Sequence, residues 1–129
     1  MADFPIRSIP TQKTYATATV TTSTDGLSNV IDLGGHTVNS IQMSTAWTAA
    51  NLTFAGSVNS SAEMMTVRHT TACTELTYAT TDNYQVTVDP YLLSGLRYLQ
   101  VRSGTAASPV AQAAERALIL GLTPVNPIK

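Results

Sequence analysis

Between Leu27 and Met43 the chain reads as a short apolar strand, a glycine corner and a second strand, and this stretch constrains the fold most. Leu27, Asn29, Ile31 and Leu33 fall on one side of an extended chain, and three of the four are large and apolar. That is the period-two signature of a half-buried strand. Gly34-Gly35 then provides a sharp change of direction without a Cβ clash. The segment beyond it, through Val38 and Ile41 to Met43, reads as a strand of its own.

A strand pair of this kind needs partners, and the rest of the sequence offers them. Tyr15 to Ser23 is threonine-rich and extended, ending at the Thr24-Asp25-Gly26 turn. Asn51 to Val58 sets Leu52, Phe54, Gly56 and Val58 against Thr53, Ala55 and Ser57, and predicts an amphipathic strand. Glu63 to His69 puts Met65 and Val67 on one face, and Cys73 to Tyr78 does the same for Leu76 and Tyr78. Tyr84, Val86 and Val88 share a face before Asp89-Pro90 stops the strand. Tyr91 to Gly95 is compact, with room for one helical turn. Leu99 and Val101 alternate with Tyr98, Gln100 and Arg102. Ala111 to Leu120 is rich in helix formers, but Leu118, Leu120 and Leu122 keep period two and Gly121 interrupts a helix, so the closing segment is read as a strand. Eight or nine short strands separated by turn signals predict an antiparallel β-sandwich.

The chain has 129 residues, enough for one domain with a proper core. Residues 1–14 stand apart from it as an extended arm, because Pro5 and Pro10 bias their neighbours away from helix; residues 15–129 form the sandwich domain. Phe4, Ile6 and Ile9 on that arm are read as groups that dock on the body or on a partner. The single cysteine, Cys73, allows no internal disulfide and is expected to be a small buried hydrophobe near a strand.

Charged residues are 12% of the chain and the net charge is −1, about half the charge density of an ordinary soluble domain. Threonine and serine, about a quarter of the residues, take their place as side chains suited to exposed strand faces. Such a surface predicts neither a nucleic-acid partner, which needs lysine and arginine against phosphate, nor a membrane partner. The start of the chain lacks the basic and apolar regions of a signal peptide, so synthesis in the cytoplasm is expected. Asn51-Leu52-Thr53 and Asn59-Ser60-Ser61 then read as chance matches to the glycosylation pattern.

Chemistry is hard to place on this chain. His36 and His69 come with no strained elbow for a serine nucleophile, nothing selects a carboxylate pair for glycoside hydrolysis, and Asp82, Asn83 and Asp89 do not make a calcium loop. Gly34-Gly35 lacks the lysine of a phosphate loop. No enzyme activity, metal or cofactor is expected. Trp47, the only tryptophan, is read as capping one end of the sandwich, with ligand stacking as the alternative. Arg97, Arg102 and Arg116 are read either as contacts to neighbouring subunits, for which the planar guanidinium is suited, or as ordinary surface ion pairs.

The runs Ile31-Asp32-Leu33-Gly34-Gly35, Leu52-Thr53-Phe54-Ala55-Gly56-Ser57, Leu96-Arg97-Tyr98-Leu99-Gln100-Val101-Arg102 and Leu120-Gly121-Leu122 together resemble the discoidin or galactose-binding-like jelly roll. With Ala46-Trp47-Thr48-Ala49-Ala50-Asn51 and Ser103-Gly104-Thr105 added, residues 27–122 also resemble small tailed-bacteriophage virion proteins. The resemblance implies a jelly-roll β-sandwich and a capsid decoration or cement protein. Its implied partners are the major capsid protein and copies of itself in a homotrimer or other cyclic oligomer on the virion surface. A neck, tail or head-fibre station and a carbohydrate-binding module are the alternatives. Sugar-binding jelly rolls use clustered loop histidines, arginines and aromatics that have no counterpart here, and Asn59-Ser60 stands where an Asp-Gly turn is common.

Overall fold

The computed structural model describes residues 15–69 and 73–125. Eight strands account for the regular structure there: β1 (Tyr15–Val20), β2 (Ile31–Asp32), β3 (His36–Gln42), β4 (Leu52–Ser57), β5 (Met65–Thr66), β6 (Gln85–Thr87), β7 (Tyr98–Ser103) and β8 (Arg116–Pro124). A 3-10 turn at Pro90–Leu92 is capped by the Asp89 carboxylate, which accepts from the Tyr91 N–H.

The strands form two four-stranded sheets, ordered β1-β8-β3-β6 and β2-β7-β4-β5, with every pairing antiparallel. The pairing is nested. The first strand pairs with the last, the second with the seventh, the third with the sixth and the fourth with the fifth. Two further ladders, β3 with β8 and β4 with β7, join these ribbons into sheets.

The glycine corner explains how the layers exchange. β2 and β3 lie in different sheets, so Gly34 and Gly35, at φ +52° and +87°, carry the chain across the sandwich. His36 N–H donates to the Leu33 carbonyl at 3.0 Å and closes this corner. At the β1 edge the sheets are stitched together: Asn29 N–H donates to the Thr19 carbonyl, while the Asn29 side chain accepts from the Thr19 N–H.

The alternating residues meet between the layers. Leu118, Leu120 and Leu122 of β8 face Phe54, Leu52, Leu99 and Val101 of the opposite sheet within one buried cluster. Tyr78 meets the Phe54 ring edge-on at 6.0 Å, a favoured aromatic arrangement. The closing segment is a strand from Arg116, and residues 111–115 are irregular, so helix propensity there yields to burial of the leucine stripe.

Two expectations change. All six residues of β4 are buried, because it is central and its outer face is also covered; the Thr53 hydroxyl donates to the Gly104 carbonyl at 2.7 Å. Met65 does not join Val67 against the core but is 72% exposed, since β5 is an edge strand of two residues that ends before a second layer can cover it.

Candidate functional site

The three arginines, read either as contacts to neighbouring subunits or as ordinary surface ion pairs, lie apart in the fold. Arg97 and Arg102 flank or lie on β7, while Arg116 opens β8 in the other sheet.

Arg97 is the exposed one. The β2–β7 ladder sets Asp32 opposite Tyr98, and this brings Asp32 within reach of the neighbouring arginine. Arg97 donates from Nε to Oδ1 and from Nη2 to Oδ2, both at 3.2 Å, and its guanidinium lies 5.2 Å from the Tyr98 ring centroid. The paired hydrogen bonds from Arg97 hold the Asp32 carboxyl below the usual carboxylate range, and Asp32 raises the guanidinium in return. About half of each side chain remains exposed, so solvent screens the attraction. What the pair presents is a fixed planar guanidinium beside a tyrosine ring.

Arg102 is not an exposed surface pair: it is only 8% exposed and is engaged within the fold. Alternation on β7 turns it away from the core, onto the covered outer face of that sheet. There Nη1 donates to Glu75 Oε2 at 3.0 Å and to the Thr53 hydroxyl at 3.4 Å. Glu75 also accepts from the Ala106 N–H, so one carboxylate fastens the loop after β7 to the sheet. Buried charges persist when paired and hydrogen-bonded in this way.

The other end of that loop is held by Gln112, which is 2% exposed. Its amide nitrogen donates to the Thr48 carbonyl and the Ser103 hydroxyl, and its amide oxygen accepts from Thr48 N–H at 2.7 Å and from Arg116 Nε at 3.4 Å. Arg116 is thus half-buried beside this cluster. Trp47 lies next to Thr48, packs against the core and donates from Nε1 to the Ala50 carbonyl at 3.0 Å. Its indole is half-buried and its N–H is engaged within the chain. Nothing in the sequence singled out Gln112 or Glu75; each looks like any loop polar residue until its distant partners are in place.

Phe4, Ile6 and Ile9 lie outside the described residues. Cys73, expected to be buried, is exposed, with φ +53° and its carbonyl accepting from Arg68. His36 Nδ1 lies 3.1 Å from the Leu33 carbonyl. Among the described residues no group of three or more His, Cys, Asp or Glu side chains could hold a metal ion, and no helix is long and apolar enough to cross a membrane.

The described residues form at least two surface grooves. One, of about 310 Å³, runs beside β5 and is lined by Val58, Met65, Val67 and Leu96. The other, of about 370 Å³, lies where β8 ends, between Thr123 to Val125 and the 3-10 turn with Tyr91. Apolar side chains dominate the first, and neither combines an acid, a base and a nucleophile. No protein-family model, curated protein or solved structure matches the chain.

Proposed function

We propose that this chain is a non-enzymatic bacteriophage virion protein with a jelly-roll body of the galactose-binding-like kind, acting as a capsid decoration or cement protein. The nested pairing of eight strands carries the fold part of this reading. It is the order obtained when one long hairpin ribbon is folded over into two sheets, and it matches the double Greek key of a jelly roll.

The function part rests on the sequence resemblance and on how the loops are used. Gln112 and Glu75 tie the loops at one end to the framework through buried polar contacts, which favours a rigid adhesive body over a hinged one. Arg97, braced by Asp32, is an exposed arginine through which that body meets the major capsid protein. Arg116 lies at a partly covered rim, and the 1–14 arm, with Phe4, Ile6 and Ile9, is the anchor. Many weak contacts repeated over a lattice give such a domain its avidity. Trp47, half-buried against the core with its N–H bonded to the Ala50 carbonyl, gives the carbohydrate-binding alternative no particular support.

The test is attachment to assembled particles. Full-length protein is expected to co-sediment with capsids lacking it, and a chain without residues 1–14 is expected to lose that attachment while retaining its fold. Equal attachment of the truncated chain removes the anchoring role. Density for the chain at the neck, tail or fibre of an imaged particle moves it to that station, and its absence from particles removes the virion reading.

A further inference from the structure

Three methionines lie within the described residues, and the fold grades them by access. Met43 sits in the core and is 5% exposed. Met64 is half-buried. Met65, on the two-residue edge strand β5, is 72% exposed. Its side chain lines the groove of about 310 Å³ together with Val58, Val67 and Leu96. Leu96 can lie close to the strand backbone because position 56 is glycine: a Cβ added there would stand 2.6 Å from Leu96 Cδ1. The described residues that line the groove include no cysteine and no aromatic ring, so the readily oxidised group among them is the Met65 thioether.

We infer that Met65 is a modification site: peroxide converts it to methionine sulfoxide ahead of Met64 and Met43, and this changes the chemistry of the groove while leaving the fold intact. The oxidant is hydrogen peroxide. A lone pair on the Met65 sulfur attacks one peroxide oxygen, and the O–O bond breaks as the S–O bond forms. The second oxygen takes up the proton of the first and leaves as water. Sulfur gives up two electrons and the peroxide gains them. The attack needs an open approach to sulfur, which the sheet edge gives to Met65 and the core denies to Met43.

Position decides the consequence. Oxidation disrupts a protein where the methionine fills its core, and Met65 is not part of the buried cluster. β5 is held to β4 through its backbone, with Met65 opposite Gly56 and Thr66 opposite Ala55, and an oxygen on the side chain leaves that ladder in place. The groove wall is what changes. A thioether is a weak acceptor, whereas the sulfoxide is polar, and it stands where Val58, Val67 and Leu96 present hydrocarbon. The inference rests on the exposure of Met65 and on this groove, not on the virion reading.

The test is graded oxidation of the full chain. With Cys73 first capped by iodoacetamide, the protein is treated with hydrogen peroxide, and tandem mass spectrometry follows the added oxygen at each methionine. Met65 is expected to oxidise at least about tenfold faster than Met43, in keeping with the ratio of their exposures, with Met64 between them. The methyl resonances of Val58, Val67 and Leu96 are expected to move in step with Met65 oxidation while that of Leu120 stays in place, and none should move in Met65→Leu over the same interval. The melting temperature of the singly oxidised protein is expected to stay within about 3 °C of the untreated one. Met43 or Met64 oxidising as fast as Met65 would overturn the inference. So would groove resonances that stay in place, or that move equally in Met65→Leu, or a larger fall in melting temperature that the variant does not share.

Discussion

Glu75 Oε2 accepts from Arg102 Nη1 at 3.0 Å across 27 residues of sequence, with both side chains largely withdrawn from water. The pair joins the segment before β6 to the outer face of β7, and the same carboxylate holds the Ala106 N–H. It is a framework contact in a chain with few charges to spend on its interior.

Removing one partner strands the other. Arg102→Met or Glu75→Gln is expected to lower unfolding free energy by about 3–5 kcal/mol, the usual cost of an uncompensated buried charge, measured by urea denaturation. The double variant should be less destabilised than the sum of the singles. Strict additivity would show that the two side chains do not depend on each other.

Gln112→Ala leaves Thr48 N–H, the Thr48 carbonyl and the Ser103 hydroxyl without their partner. At about 1–3 kcal/mol for each group that water does not reach, a loss of about 2–4 kcal/mol is expected. Amide exchange at Thr48 should accelerate more than at Leu120 in the core. A variant with wild-type stability would mean that water replaces the side chain at little cost.

Glycines in the left-handed region give a graded comparison. At Gly35, φ +87°, nothing lies within 4 Å of an added Cβ, whereas at Gly26, φ +69°, the Ser103 carbonyl oxygen lies 2.5 Å away. Gly35→Ala should cost about 1–2 kcal/mol from backbone strain alone, and Gly26→Ala distinctly more, because a backbone carbonyl must also move. Equal melting temperatures for the two variants would contradict this ordering.

Much of the framework was legible because alternation is local. Leu118, Leu120 and Leu122 announced their strand, and Gly34-Gly35 announced a corner. That this corner changes sheets is invisible in one dimension, since the layer of β3 is decided by β6 and β8, far along the chain. β4 misled for a related reason: Thr53 and Ser57 look like solvent-facing residues until Gly104 and the 57–60 turn satisfy their hydroxyls. Arg102 misled because arginine is rarely interior without a partner, and its partner is remote. Met65 and Cys73 departed the other way: Met65, placed on one face with Val67, lies exposed on a two-residue edge strand, and Cys73, expected to be buried, is exposed at φ +53°.

The exposed pair Asp32–Arg97 makes a prediction about pH whose sign follows from the direction of the shift. Arg97 depresses the Asp32 carboxyl in the folded chain, so folding binds fewer protons there than the unfolded chain does. The pair's contribution is present in full above the ordinary aspartate value and is lost as pH falls through the lower, folded value. The stability difference between wild type and Asp32→Asn should therefore be flat near neutrality and shrink on acidification. Because the pair is solvent-exposed it should also shrink with added salt. Urea midpoints of both proteins across the acid range measure it. A difference that widens as the solution becomes more acidic would show that Asp32 is not held by Arg97.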